Sequence, residues 1–336
     1  MNRPTRSTAA GQAYLDLQNH ARTQGRGTQE FLALYVIERW LARLSMSPYA
    51  DQFVIKGGIL LAAYDARRPT ADLDALASAV ANDQEAVMAR IVEIARQDPG
   101  QADGVEFRTE TISSRVIRGE DLYAGVRVSM DCAIATAAVK FRLDVNFGDP
   151  VTPAPRRVIL PSLRPGMSPI EVLGYPIETV LAEKITTAIA LGPANTRVRD
   201  YADIFTLIGG RPIDQRAARD ALLATAAFRG TVLVPLSFAV DNIAGLRRQT
   251  YLAYRRNLGQ AAQALPAEFG EIVGAVTAFA DGLVAAAPPG TVWSPQQWRW
   301  VQPTDGQHLP LMPLCQDGSG PGTKASMIRK YSSRAI

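Results

Sequence analysis

A run of prolines divides this 336-residue chain into two parts of different hydrophobic period. Upstream of it, helical stretches mix with short segments that alternate apolar and polar residues, as half-buried strands do. Downstream, apolar residues recur at three- and four-residue spacing, as on one face of a helix. Between them Pro150, Pro153, Pro155, Pro161, Pro165 and Pro169 make a stretch in which no regular element is expected to persist, because proline fixes φ and has no N–H to donate. The pattern predicts an α+β chain, a strand-bearing core followed by a helical domain. Its length allows about two domains at roughly 150 residues each.

A helical pattern covers residues 9–45, with Phe31, Leu34, Val36, Ile37, Trp40 and Leu41 on its apolar side. The β-branched run 52–55 reads as a strand entering a tight turn at Lys56-Gly57-Gly58, with a helix after it. Residues 70–76 alternate again, which puts Asp72 and Asp74 on one face of a strand and Leu73 on the other. A helix over 83–97 and strands over 105–112, 126–134 and 139–147 complete the core. Past the prolines, helices are predicted over 177–190, 198–208, 214–228, 243–258 and 266–286, with Trp293, Trp298 and Trp300 as later anchors. The division that follows is N-terminal helices over 1–48, a catalytic core over 49–165, a helical domain over 166–302, and an aperiodic tail over 303–336, disordered or non-native.

Composition removes several kinds of chemistry. Cys132 and Cys315 are the only cysteines and His20 and His308 the only histidines, so carboxylates must carry any metal chemistry. Thirty-six basic against 32 acidic residues give a net charge of +4, a mild attraction to polyanions. No run of about 18 apolar residues occurs, and the first residues lack the apolar centre of a signal peptide. A cytoplasmic protein without a membrane partner is the expectation.

Asp72 and Asp74, two apart on a strand, project side by side and can share a hard divalent cation such as Mg²⁺ or Mn²⁺. Alone, such a pair is more often a solvated strand face. Gly57 and Gly58 at a strand-to-helix turn let backbone N–H groups approach a phosphate. A phosphate turn and a metal pair on adjacent strands are what nucleotidyl transfer needs. Asp144, flanked by Leu143 and Val145, is costly to bury unless paired or metal-bound, and would be a third metal carboxylate able to take a proton from an attacking hydroxyl. Lys56 and Arg68 flank these motifs as candidate nucleotide contacts. Thr70, two residues before Asp72, is a candidate regulatory phosphorylation site, since a phosphate there adds roughly −1.5 to −2 charge beside the metal ligands. Arg247, Arg248, Arg255 and Arg256 share one predicted helix and form a candidate RNA-contacting band with Tyr251 and Tyr254 interleaved, against the plainer reading of a solvated helix face.

Four segments in order, FVIKGGILLAAYDARRPTADLDAL, RLDVNFGDPV, YPIETVLAEKITTAI and NTRVRDYADIF, resemble the signature of the AbiEii/AbiGii toxin nucleotidyltransferases, which include the MenT group of bacterial toxin–antitoxin systems. The likeness spans about residues 35–207. It implies a DNA-polymerase-β-like core, with Asp72, Asp74 and Asp144 as metal ligands and Gly57 and Gly58 as the phosphate turn. It also implies that Lys184 is a catalytic lysine facing the triphosphate and Asp200 the essential acid of the last motif. Arg199 stands where lysine is commoner. Without the likeness, Glu183 and Lys184 would read as a solvated helical turn, and Arg197, Arg199 and Asp203 as surface pairs.

The resemblance implies a toxin that moves a nucleoside monophosphate from an NTP to the 3′ end of tRNA, with a cognate antitoxin as partner. Transfer to a protein or small-molecule hydroxyl is the enzymatic alternative, and a decayed toxin-like binding module the non-enzymatic one. All five expected polar positions are present, which argues against decay.

Overall fold

Two amphipathic helices lead the chain: α1 (Ala9–Gln24), whose N-terminus is capped by the Thr8 hydroxyl, and α2 (Thr28–Met46). The helical pattern over 9–45 is divided between these two helices, because Gly25 takes a left-handed conformation that ends α1. The computed structural model describes residues 3–78, 83–117, 125–285 and 287–302. The tail expected over 303–336 lies outside the described residues.

After α2 come β1 (Phe53–Lys56), the short helix α3 (Gly57–Leu60) with a 3₁₀ turn, β2 (Leu73–Ala77) and α4 (Gln84–Ala95). Three long strands follow, β3 (Val105–Ile117), β4 (Gly125–Ile134) and β5 (Ala137–Phe147). The proline stretch then holds β6 (Arg156–Leu160) and β7 (Ile170–Gly174). Here the expectation of no regular element is wrong. Pro155 and Pro161 bracket β6 and Pro169 precedes β7, so the prolines bound the strands without interrupting their ladders. β6 is also an edge strand, where a lost donor matters least.

These seven strands form one mixed sheet in the order β3-β4-β5-β2-β1-β7-β6, with β2–β5 and β1–β7 parallel and the other pairs antiparallel. A boundary at residue 165 would therefore separate β7 from β1, its neighbour in the sheet. α2 covers one face, packing on β5 and β7, and Trp40 from it meets Phe53 of β1 and Phe141 of β5. Leu73, Leu143 and Val145 are fully buried in this core. Period two then sends their strand neighbours, Asp74 and Asp144, to the opposite face.

Most of the remaining elements are helices: α5 (Ile177–Leu191), α6 (Val198–Gly210), α7 (Gln215–Arg229), α9 (Ile243–Asn257) and α10 (Phe269–Val284) lie where the spacing predicts them, and the short α8 (Leu236–Ala239) is one it does not announce. A small sheet that the periodicity does not announce joins β8 (Ile213–Asp214), β9 (Val292–Ser294) and β10 (Arg299–Val301). The tryptophans anchor it: Trp293 donates to the Ile208 carbonyl at 3.0 Å, and Trp298 and Trp300 stack on Phe205 and Phe279. Residues Met1–Gln302 pack as one compact unit.

Candidate active site

Strand register sets a row of charge across the sheet. Lys56 of β1 faces Asp74 of β2, Asp74 faces Asp144 of β5, and Asp144 faces Arg127 of β4. The row reads plus, minus, minus, plus, on the face opposite α2. Its two ends are satisfied. Lys56 donates to Asp149 at 2.5 Å and to Glu183 at 2.9 Å and lies over the Tyr175 ring. Arg127 grips Asp144 with two nitrogens, Nε to Oδ1 at 2.6 Å and Nη2 to Oδ2 at 2.5 Å. That bidentate bond is the main reason its guanidinium is held more firmly protonated than usual.

Asp74 in the middle is different: among the described residues its carboxylate has no hydrogen bond and no ion pair. Burial pushes its carboxyl up to about 6, Lys56 counteracts, and the charges of Asp144, Glu183 and Asp72 push further upward. Its carboxylate leans on the turn that ends β1. Gly57 there has φ +70°, and a Cβ on it would lie 2.0 Å from Asp74 Oδ2, so only glycine fits. A Cβ on Gly58 would come 3.0 Å from Arg68 Nη1 and the Thr70 hydroxyl.

A second charged cluster faces the row from the helices. Lys184 of α5 donates to Asp200 at 2.8 Å and Asp203 at 2.7 Å, two residues one turn apart on α6. Arg68 reaches the other oxygen of Asp203 at 2.7 Å, and Arg197 that of Asp200 at 2.6 Å. Burial alone would raise the Asp200 carboxyl, but Lys184 and Arg197 outweigh it and hold it at about 2. For Lys184 burial works against the charge, and Asp203 and Asp200 more than restore it, so the ammonium persists.

The two clusters line one cleft of about 380 Å³. Lys56, Gly57, Gly58, Arg68, Asp74, Asp144, Lys184 and Asp200, drawn from four separated segments of sequence, all border it. Asn146, Glu183, Thr187, Arg197, Arg199 and Arg229 border it as well. Arg199 is exposed and has no hydrogen bond or ion pair among the described residues.

Several expected placements need correction. β2 begins at Leu73, so Thr70 and Asp72 belong to the bend before it and not to the strand. Asp72 is half-exposed, 3.8 Å from Arg142 and outside the residues lining the cleft. The Thr70 hydroxyl donates to the Asp72 carbonyl at 3.0 Å, half-buried against Gly58. Lys56, a candidate nucleotide contact, borders the cleft but is largely buried, with its ammonium bonded to Asp149 and Glu183. Asp144 is already paired, and among the described residues no three His, Cys, Asp or Glu side chains converge on a common metal position. Glu183 and Lys184 are not a solvated turn.

The arginines of α9 divide. Arg247 donates to the carbonyls of Asn195 and Pro193 at 2.8 and 2.9 Å, and Arg255 to that of Leu265 at 3.3 Å, so these two brace loops. Arg248, paired with Glu268 at 3.4 Å, and Arg256 stay exposed. Tyr251 is buried and stacked on Phe269, unavailable to a base.

Sequence reasoning missed Arg127, Asp149 and Glu183 and read Asp203 as a surface acid. For Asp203 the signal existed, since its three-residue spacing from Asp200 puts both on one helix face. For the others the partners lie too far apart in the chain.

The model of the AbiEii nucleotidyl transferase toxin of type IV toxin–antitoxin systems matches residues 39–299, and the chain belongs to this family. It is therefore a toxin-type nucleotidyltransferase, from a family whose systems pair a toxin with an antitoxin. Among solved structures the chain is similar to MenT4, a nucleotidyltransferase toxin from Mycobacterium tuberculosis H37Rv, at 17% identity, with 85% of this chain and 92% of that one covered and a TM-score of 0.51. It also matches JHP933 from Helicobacter pylori, at 15% identity over 71% of this chain and 92% of that one with a TM-score of 0.40. A nucleotidyltransferase structure from H. pylori matches at 13% identity over 71% and 95% with a TM-score of 0.32. No curated protein matches the sequence. No helix among the described residues is long and apolar enough to cross a membrane.

Proposed function

We propose that the cleft transfers a nucleoside monophosphate from an NTP to the 3′-terminal hydroxyl of tRNA in the cytoplasm, and that an antitoxin controls it. The observation that carries this is the meeting, in one cleft, of the Gly57-Gly58 turn, the Asp74–Asp144 pair and the Lys184–Asp200 pair. Around the cleft Arg68, Lys184, Arg197 and Arg199 offer positive charge to a triphosphate, and Asp74 and Asp144 bring carboxylates from the sheet. Lys184, kept charged by its two aspartates, supplies a fixed positive charge where negative charge develops on phosphoryl oxygens.

The donor set fits a divalent cation, Mg²⁺ or Mn²⁺. A partnerless buried carboxylate among other acids, with a second acid two residues before it, suits an ion that takes one or two protein carboxylates together with substrate phosphates. Asp74 and Asp72 would hold it, and when bound it would neutralise phosphate charge and orient the leaving group. Asp144, the register neighbour of Asp74, would take the proton of the attacking ribose hydroxyl.

Incubation with Mg²⁺, each labelled NTP in turn, and either intact tRNA or tRNA oxidised by periodate at its 3′ end tests the reading. Label is expected only in intact tRNA. Equal label in both, or label in protein, would overturn the tRNA-end assignment and favour transfer to a different acceptor.

A further inference from the structure

Of the two carboxylates in the charged row, that of Asp144 has both oxygens engaged by Arg127, while that of Asp74 has no side-chain partner among the described residues. We propose that Arg127 is a positioning residue that reserves Asp144 from metal ligation, so that this cleft takes one divalent cation, on Asp74 and Asp72. The inference rests on the nucleotidyl-transfer reading of the cleft.

Three observations converge. Arg127 is the third residue of β4, within an unbroken ladder from Val126 to Ile134 that pairs the strand with β5, so the backbone fixes its place beside Asp144. Both oxygens of Asp144 accept from its guanidinium, and among the described residues this carboxylate is the one acceptor Arg127 uses. A planar fork of this kind matches a carboxylate with both donors at once, which a lysine at the same position could not do. The charge count agrees. Lys56 and Arg229 answer Asp149 and Glu183 at one end of the row, Arg127 answers Asp144 at the other, and Arg142 stands 3.8 Å from the half-exposed Asp72, which leaves Asp74 as the carboxylate with no partner. A divalent ion at Asp74 meets that unmatched charge; a second at Asp144 would confront a guanidinium already in its place. The fork also fixes which way the Asp144 oxygens point, so its role toward a hydroxyl is one of defined direction and not of metal bridging.

Counting Mn²⁺ bound to the full chain without nucleotide, by the loss of the free-ion spin-resonance signal, tests this separately from transfer. Wild type should bind one ion. Asp74→Asn should weaken that ion by at least the roughly tenfold that loss of even an outer partner costs a metal, while Asp144→Asn should leave it within a factor of about three. Arg127→Met, which frees Asp144, should take up a second ion. Two ions on wild type, or loss of the single ion in Asp144→Asn, would overturn the proposal, and both readouts stand even if Arg127→Met does not fold. No ion on wild type overturns it too. Label transfer with an intact Mn²⁺ count of two would sink this inference while leaving the proposed function standing.

Discussion

Gly57 and Asp74 are in contact across the turn that ends β1: a single added carbon on Gly57 would overlap the Asp74 carboxylate at 2.0 Å. The left-handed φ of +70° adds backbone strain for any other residue, about 1–3 kcal/mol. Gly57→Ala is therefore expected to destabilise the fold by at least that amount and to abolish transfer by displacing Asp74. Denaturant unfolding and label transfer would measure both. Wild-type stability together with wild-type turnover would show that the contact is not needed.

Asp74 gives a prediction of opposite sign for stability and activity. A carboxyl raised to about 6 in the folded state favours folding when protonated, so its contribution falls as pH rises from the unfolded value near 3.8 through 6. Asp74→Asn removes that penalty. The variant should be more stable than wild type at pH 7.5 by about 2–3 kcal/mol, equal to it near pH 4, and inactive in transfer. Thermal unfolding at the two pH values without metal checks the sign, and a variant destabilised at pH 7.5 would contradict it.

For Asp200 the direction reverses. Held at about 2, its carboxylate contributes stability that is complete above the unfolded value near 3.8 and is lost as pH falls toward 2. Removal of the charge leaves Lys184 and Arg197 short of a partner, so Asp200→Asn should cost about 2 kcal/mol at pH 7. It should also flatten the acid limb of the stability profile below pH 4. An unchanged acid limb would mean that the Lys184 cluster does not govern it.

The α9 arginines are expected to split by function. Arg247→Ala, which strands two carbonyls, should lower the melting temperature. Arg248→Glu with Arg256→Glu should change stability by no more than about 0.5 kcal/mol while weakening tRNA binding in a salt-dependent way. NTP affinity should stay as it is. If the exposed pair has no effect on tRNA binding at low salt, α9 is not an RNA surface.

Much of this architecture is written in local pattern. Period two gives β3, β4 and β5, and α5, α6, α7, α9 and α10 follow their apolar spacing to within a few residues. β6 and β7 escape because proline reads as a breaker, whereas here each proline sits at a strand's end. In the site, the positions of Gly57, Gly58, Asp74, Lys184 and Asp200 are legible as motifs, but their electrostatics are not. Arg127 reaches Asp144 through strand register, and Lys56 reaches Asp149 and Glu183 from 93 and 127 residues away. Nothing local signals such pairs.

The order in which those partners leave the ribosome has a consequence. β1 and β2, with Lys56 and Asp74, emerge early, yet β1 must await β7 to complete its ladder, and Lys184 gains its two aspartates only when α6 has been made. Pairings of such long sequence separation form late in folding. A nascent or truncated chain would carry isolated charges in place of a cleft, so the site is complete only once nearly the whole fold has closed.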